Sequence, residues 1–156
     1  MSPPAIRAVL AALLVASLGL AATGVARAAD YAKTAGGYTI YVGVLPAGVL
    51  FLYRPGHGDA AVHSGPRFGD AHHVLVGLVD ATRGSRIDDA EITARIVPAK
   101  GEPQERRLER MTVEGGAAYG NFFALRRNHR YRIDLTIRRP GSPGAVDASF
   151  DYVHRL

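Results

Sequence analysis

The chain has 156 residues, six histidines and a formal net charge of +5. It contains no cysteine, which excludes disulfide bridges and thiolate metal sites, so a bound metal would need His, Met, carboxylate or backbone oxygen ligands. The length is sufficient for one domain with a real hydrophobic core and marginal for two.

The first 28 residues have the pattern of a secretory signal peptide. Arg7 supplies the positive start, an apolar run rich in Ala and Gly follows, and the sequence ARA at 26–28 has the small-x-small form of a cleavage site. We therefore predict a signal peptide at 1–28, one mature domain at 29–156, and a periplasmic or secreted location. An uncleaved N-terminal anchor is the alternative. No second segment of the sequence is long and apolar enough to predict a transmembrane span.

Alternation of apolar and polar residues is the dominant pattern of the mature chain, and it predicts half-buried antiparallel strands. Segments that are more continuously apolar predict central strands, and Gly- and Pro-rich turn signals separate the segments. No helix is expected after residue 30. The predicted strands are, in chain order, 37–45, 48–54, 72–80, 90–97, 106–113, 119–125, 129–138 and 145–154.

Seven or eight short strands separated by turns predict an all-β fold, an immunoglobulin-like antiparallel β-sandwich.

Without Arg7 and Arg27, 17 basic residues remain against 14 acidic ones, a net charge of +3. Many of the basic residues alternate with apolar ones in 129–138, which indicates the solvent face of a strand rather than a nucleic-acid surface. No nucleic-acid partner is therefore expected.

Motifs of the common enzyme classes are absent from the sequence. It has no Cys nucleophile, no G-x-S-x-G, no P-loop and no H-E-x-x-H. We therefore expect a protein that is not an enzyme.

The segment 55–73 carries four of the six histidines and two aspartates among glycines and prolines. His57, Asp59 and His63 share parity, so in an extended chain all three project to one side, about 6.6 Å apart at adjacent same-face positions. His72 and His73 point to opposite faces of the next strand, so at most one of them joins the same cluster. The alternative is a solvated polar loop.

Two short motifs in this chain resemble the periplasmic iron-transport accessory proteins, which are immunoglobulin-like and bind copper or iron for a membrane transporter. The family has H-x-E-A-D-I-H, and this chain has HGDAAVH at 57–63. The family also places a Met seven residues before His-Tyr-Gly, and here Met111 lies seven residues before Ala118, followed by Tyr119 and Gly120. Ala118 thus stands where the family has a ligand His.

The resemblance implies that His57, Asp59 and Met111 are metal ligands, with His63 adjacent; Asp59 replaces the longer Glu of the family. His73 is the further candidate that we add from the His-rich segment. The resemblance also implies a copper or iron ion as cofactor, a membrane transporter as partner, and a homodimer. For Met111, packing in the core is the alternative role.

A second resemblance, to small exported domains of the YtkA-like kind, is carried by the segment 79–96. It implies the sandwich fold and no particular activity. The sequence therefore supports two hypotheses. The protein is an exported, non-enzymatic metal-binding protein that handles copper or iron for a membrane transport system, or it is a metal-free immunoglobulin-like interaction module of the cell envelope.

Overall fold

A computed structural model of the chain describes residues 31–52, 70–113 and 115–155, with the side chains of 50–52 excepted. The predicted signal peptide and most of the His-rich segment lie outside these residues. The described part contains nine strands and one short helix: β1 (Ala32–Ala35), β2 (Tyr38–Pro46), α1 (Ala47–Leu52), β3 (Ala71–Asp80), β4 (Glu91–Pro98), β5 (Gln104–Arg107), β6 (Glu109–Val113), β7 (Gly116–Ala124), β8 (His129–Arg138) and β9 (Val146–His154).

The strands form two sheets that pack face to face. One sheet has five strands in the order β1-β2-β3-β7-β6, and the other has four in the order β5-β4-β8-β9. All neighbouring strands run antiparallel. The predicted all-β sandwich is therefore confirmed. Its nine strands exceed the expected seven or eight because β1 was not predicted and because one predicted strand is divided into two.

The core lies between the sheets, where each strand contributes alternate residues. In β8, Tyr131, Ile133, Leu135 and Ile137 are buried while the intervening arginines are exposed, as the period of two predicts. Tyr119 of β7 is also buried, and its hydroxyl accepts a hydrogen bond from the backbone N–H of residue 90 (3.0 Å) and donates to the carbonyl of residue 87 (3.2 Å). Burial raises the pKa of this hydroxyl, so it stays protonated at neutral pH.

The prediction of a strand at 48–54 is wrong, as is the expectation that no helix follows residue 30. β2 ends at Pro46, and residues 47–52 form the short helix α1. A short apolar run does not distinguish a strand from a buried helical turn, because neither period is sampled often enough. No helix in the described ranges is long and apolar enough to span a membrane.

The predicted strand 106–113 is divided at Leu108. Residues before it pair with β4 in the four-stranded sheet, and residues after it pair with β7 in the other sheet. Leu108 itself is buried in the core, and its N–H donates to the carbonyl of Ile92 at 2.8 Å. One residue thus carries the chain from one sheet to the other and fixes which residues of β6 face outward.

Candidate metal centre

The sequence-predicted ligands fall into two groups. His57, Asp59 and His63 lie outside the described residues, so their role stays a prediction. Met111 and His73 are described, on β6 and β3 of the five-stranded sheet. β7 lies between these two strands.

Met111 does not pack in the core. It pairs directly with Ala118, and directly paired residues share one face of a sheet. Tyr119 and Phe123 of β7 belong to the core, so Ala118, which alternates with them, points to the opposite side. We call that side the outer face of the five-stranded sheet. The family-type spacing of seven residues therefore places Met111 directly beside the position where the family has its His.

His73 also belongs to the outer face, since it pairs with Phe122 of β7. Its ring contacts the Phe122 ring edge-on at 4.8 Å and lies over Gly120, where an added Cβ would overlap the imidazole. Only 2% of His73 is exposed. The sequence reasoning placed His72 and His73 on opposite faces, which the register supports. Both rings are buried, and that of His73 fits against the sheet because Gly120 has no side chain to meet its Cε1 edge.

Glu109 is a candidate ligand that the sequence reasoning missed. Glu109 pairs with Gly120, so its side chain belongs to the outer face. The His73 ring approaches the sheet at the same residue, Gly120. Strand spacings of about 4.8 Å across and 3.3 Å along the chain place the Met111 backbone about 8 Å from that of Gly120. A Met or Glu side chain spans much of this distance. The signal available in the sequence was parity, since residues 109 and 111 share a face of one strand.

The strands before and after the segment that carries His57, Asp59 and His63 are paired with each other next to His73. β2 and β3 are paired up to Leu45 opposite His73 and Pro46 opposite His72. The chain leaves this end of the sheet after β2 and returns to it at the start of β3. Residues 47–69, which begin with α1, therefore join two strand ends that lie at the end of the sheet bearing His73.

A different pair of histidines lies at one end of the sandwich, on the core side. The rings of His72 and His154 are 4.3 Å apart in an edge-to-face arrangement, and each residue is 3% exposed. His154 is buried although it ends β9, because it is the last inward position of that strand and His72 covers it from the other sheet. Burial lowers the pKa of His154, electrostatic interactions with His72 and Arg127 act in the same direction, and the interaction with Asp70 opposes them.

Each of these two imidazoles is oriented through its Nδ1 atom. His72 Nδ1 lies 2.9 Å from the carbonyl oxygen of Asp70, and His154 Nδ1 lies 3.0 Å from the hydroxyl of Tyr152. Both Nε2 atoms are buried, and neither has a hydrogen-bond partner within the part of the chain that the structure describes. No set of three or more His, Asp or Glu side chains among the described residues is grouped closely enough to hold a metal ion.

Neither a family model nor a curated protein matches the chain. Several solved structures share its fold at low sequence identity. A DUF4426 family protein from Pseudomonas aeruginosa is 15% identical, with a TM-score of 0.59, and the match covers 80% of this chain and 96% of that one. A copper-bound variant of FetP from uropathogenic Escherichia coli is 16% identical, with a TM-score of 0.58 and coverage of 79% and 93%.

Copper-reconstituted P19 from Campylobacter jejuni is 11% identical, with a TM-score of 0.56 and coverage of 79% and 92%. At these identities the comparisons establish the sandwich fold over nearly the full length of the three proteins. Two of the three matched structures contain copper.

Proposed function

We propose that this chain is an exported, non-enzymatic metal-binding protein that handles copper, or alternatively iron, for a membrane transport system. The observation that carries the proposal is the direct pairing of Met111 with Ala118 on the outer face, beside the His73 ring and Glu109. A thioether, an imidazole and a carboxylate form a donor set that suits copper in a chain without thiolates.

His57, Asp59 and His63 complete the proposed site. The support is topological, because the strands that precede and follow their segment, β2 and β3, are paired at the end of the sheet where His73 lies. Two of the matched structures of the same fold are copper-bound, which favours copper over iron. A homodimer and a transporter partner are further parts of the proposal, together with the signal peptide that would export the chain.

The experiment is a titration of the tag-free mature protein with Cu(I) and with Cu(II). Met111→Leu should weaken Cu(I) binding more than Cu(II) binding, because it removes the soft ligand. Glu109→Gln should weaken binding, whereas the matched change Glu105→Gln, on the other sheet, should not. Wild-type protein that binds no more copper than the His57→Ala/His63→Ala double variant would contradict the proposal.

A metal-free interaction module is the second candidate, and one observation favours it. Tyr41 and Leu45 lie on the outer face with 49% and 37% of their surfaces exposed, which is an apolar area suited to contact with a protein. In that case neither copper titration shows binding, and Tyr41→Ser/Leu45→Ser changes the association state measured by sedimentation. Under the copper proposal, Tyr41→Ser alone retains its copper affinity, because Tyr41 pairs with Gly77 and lies away from the row of His73.

A further inference from the structure

Basic side chains are partnered differently at the two ends of the sandwich. Toward the end where β4 and β7 begin, three arginines form ion pairs: Arg83 with Asp80, Arg110 with Asp88 and Arg139 with Asp89. At the other end, five exposed basic side chains make no hydrogen bond or ion pair with any other described residue: Lys100, Arg126, Arg127, Arg130 and Arg155. We call these five residues the basic cluster.

The connections that carry the basic cluster meet one another. The N–H of Ala99, after β4, donates to the carbonyl of Arg130 at 3.0 Å. The N–H of Asn128, between β7 and β8, donates to the carbonyl of His154 at 2.8 Å. The end of β4, the turn before β8 and the end of β9 therefore form one surface of the sandwich.

Acidic residues nearby do not balance the basic cluster. Among the described residues of these connections, the acidic ones are Asp70 and Glu102. The sequence of 53–69, which precedes β3, contains two arginines and one aspartate. Because the cations outnumber the acidic residues, this end of the sandwich has a positive potential that attracts anionic partners.

An apolar element lies at the same end. The helix α1 has the sequence AGVLFL and follows Pro46, which pairs with His72 at the start of β3. The N–H of Leu125, next to the basic cluster, donates at 2.8 Å to the carbonyl of Asp70, also at the start of β3. Val49 of α1 is exposed. Exposed apolar residues beside unpaired cations are the combination that holds peripheral proteins at an anionic bilayer surface.

We propose that this end of the sandwich docks on a bilayer that contains anionic phospholipids. The basic cluster contacts the lipid phosphates, and α1 contacts the apolar edge of the interface. The cations lie on separate connections and have no fixed partners, and a bilayer neutralises each of them independently, whereas an acidic protein would have to match their positions. Docking does not require bound copper, so its failure would leave the proposed function standing.

The test is flotation of the copper-free, tag-free mature protein with vesicles of phosphatidylcholine, alone or mixed with phosphatidylglycerol. Wild-type protein should bind only the mixed vesicles, and binding should weaken as ionic strength rises past about 0.1 M, where the screening length is about 10 Å. Each basic residue near an anionic surface contributes about a factor of five in affinity. The triple variant Arg126→Gln/Arg127→Gln/Arg130→Gln should therefore bind more weakly by on the order of 100-fold, with unchanged thermal unfolding.

The matched control is Arg83→Gln/Arg110→Gln/Arg139→Gln, which removes the same charge from the ion-paired arginines and should bind as wild type does. Orientation is read from a single fluorophore, since the chain contains no tryptophan. Val49 and Val113 are each 40% exposed, and Val113 lies toward the opposite end of the sandwich, where it pairs with Gly116. Vesicles should shift the emission of Val49→Trp to the blue and leave that of Val113→Trp unchanged.

Three results would overturn the proposal. Equal binding by the two triple variants would show that net charge alone attracts the protein. A blue shift of Val113→Trp without one of Val49→Trp would show that another surface docks. Wild-type protein that binds soluble polyglutamate but no anionic vesicle would assign the basic cluster to an acidic protein instead.

Discussion

Replacing Gly120 with Ala tests whether the sheet is built around the His73 ring. An added Cβ would overlap Cε1 of the imidazole and lie 2.8 Å from its Nε2 and 3.0 Å from its Nδ1. The backbone at Gly120 is not in the left-handed region, so alanine adds no backbone strain and the cost is steric. His73 is buried and cannot move aside freely.

Overpacking of this kind typically destabilises a domain by about 1–3 kcal/mol. An unfolding entropy of about 2.1 cal/mol/K per residue gives about 0.27 kcal/mol/K for a domain of about 130 residues. The expected decrease in Tm is therefore about 4–11 °C. The copper affinity of the outer face should fall as well, because the ring is displaced.

Differential scanning calorimetry measures this decrease, and Gly43→Ala is the matched control. Gly43 lies in the same row of the outer face, and a Cβ there would meet nothing within 4 Å, so its stability should change by no more than about 0.5 kcal/mol. A double variant that adds His73→Ala to Gly120→Ala should show strong coupling, because the overlap disappears. Equal melting of the Gly120 and Gly43 variants would refute the reasoning.

Three further predictions concern the rest of the fold. Tyr119→Phe should lower the free energy of unfolding by about 1–3 kcal/mol in denaturant titrations, because two buried backbone groups lose their partner; an unchanged midpoint would contradict this. The Asp80 carboxylate accepts backbone N–H bonds that lower its pKa, so its stabilisation is present above the unfolded pKa and is lost as pH falls below about 4. Asp80→Asn should thus reduce Tm at pH 7 and flatten its acid dependence, and equal pH profiles would argue against it. Neutralising Arg130, Arg132 and Arg138 together should leave cooperative unfolding intact, because all three are exposed, while weakening binding to anionic vesicles at low salt; an unfolded variant would show a structural role instead.

The sequence predicted the sandwich and several strands closely. The alternation in 129–138 predicted both boundaries of β8 correctly, because one face of this strand is buried and the other is exposed to solvent. The Met111 to Ala118 spacing, which the sequence analysis used only as a motif of the resemblance, corresponds to a direct pairing of β6 with β7. These features depend on local periodicity, which a sequence displays directly.

Other features depend on what covers a residue, and the sequence did not reveal them. His72, His73 and His154 are buried because of neighbours on other strands, and parity gives the face of a side chain but not what packs against it. Glu109 was overlooked because its shared parity with Met111 does not show that Gly120 and the His73 ring lie opposite it on other strands. The helix α1 was mistaken for a strand because a six-residue apolar run fits both periods.

Because the chain crosses between the sheets at Leu108, the number of residues in 104–108 determines which side chains of β6 face outward. Side chains reverse faces when a strand slips by one residue, and β6 starts immediately after the crossing. Deleting a single residue between 104 and 108 would turn Arg110 outward and Glu109 and Met111 toward the core. Substitutions in β5 are free to accumulate on its exposed side, whereas insertions and deletions there would exchange the chemistry of the two faces of β6. Engineered variants of this scaffold should therefore change the identity of residues in 104–108 and keep the length of this segment constant.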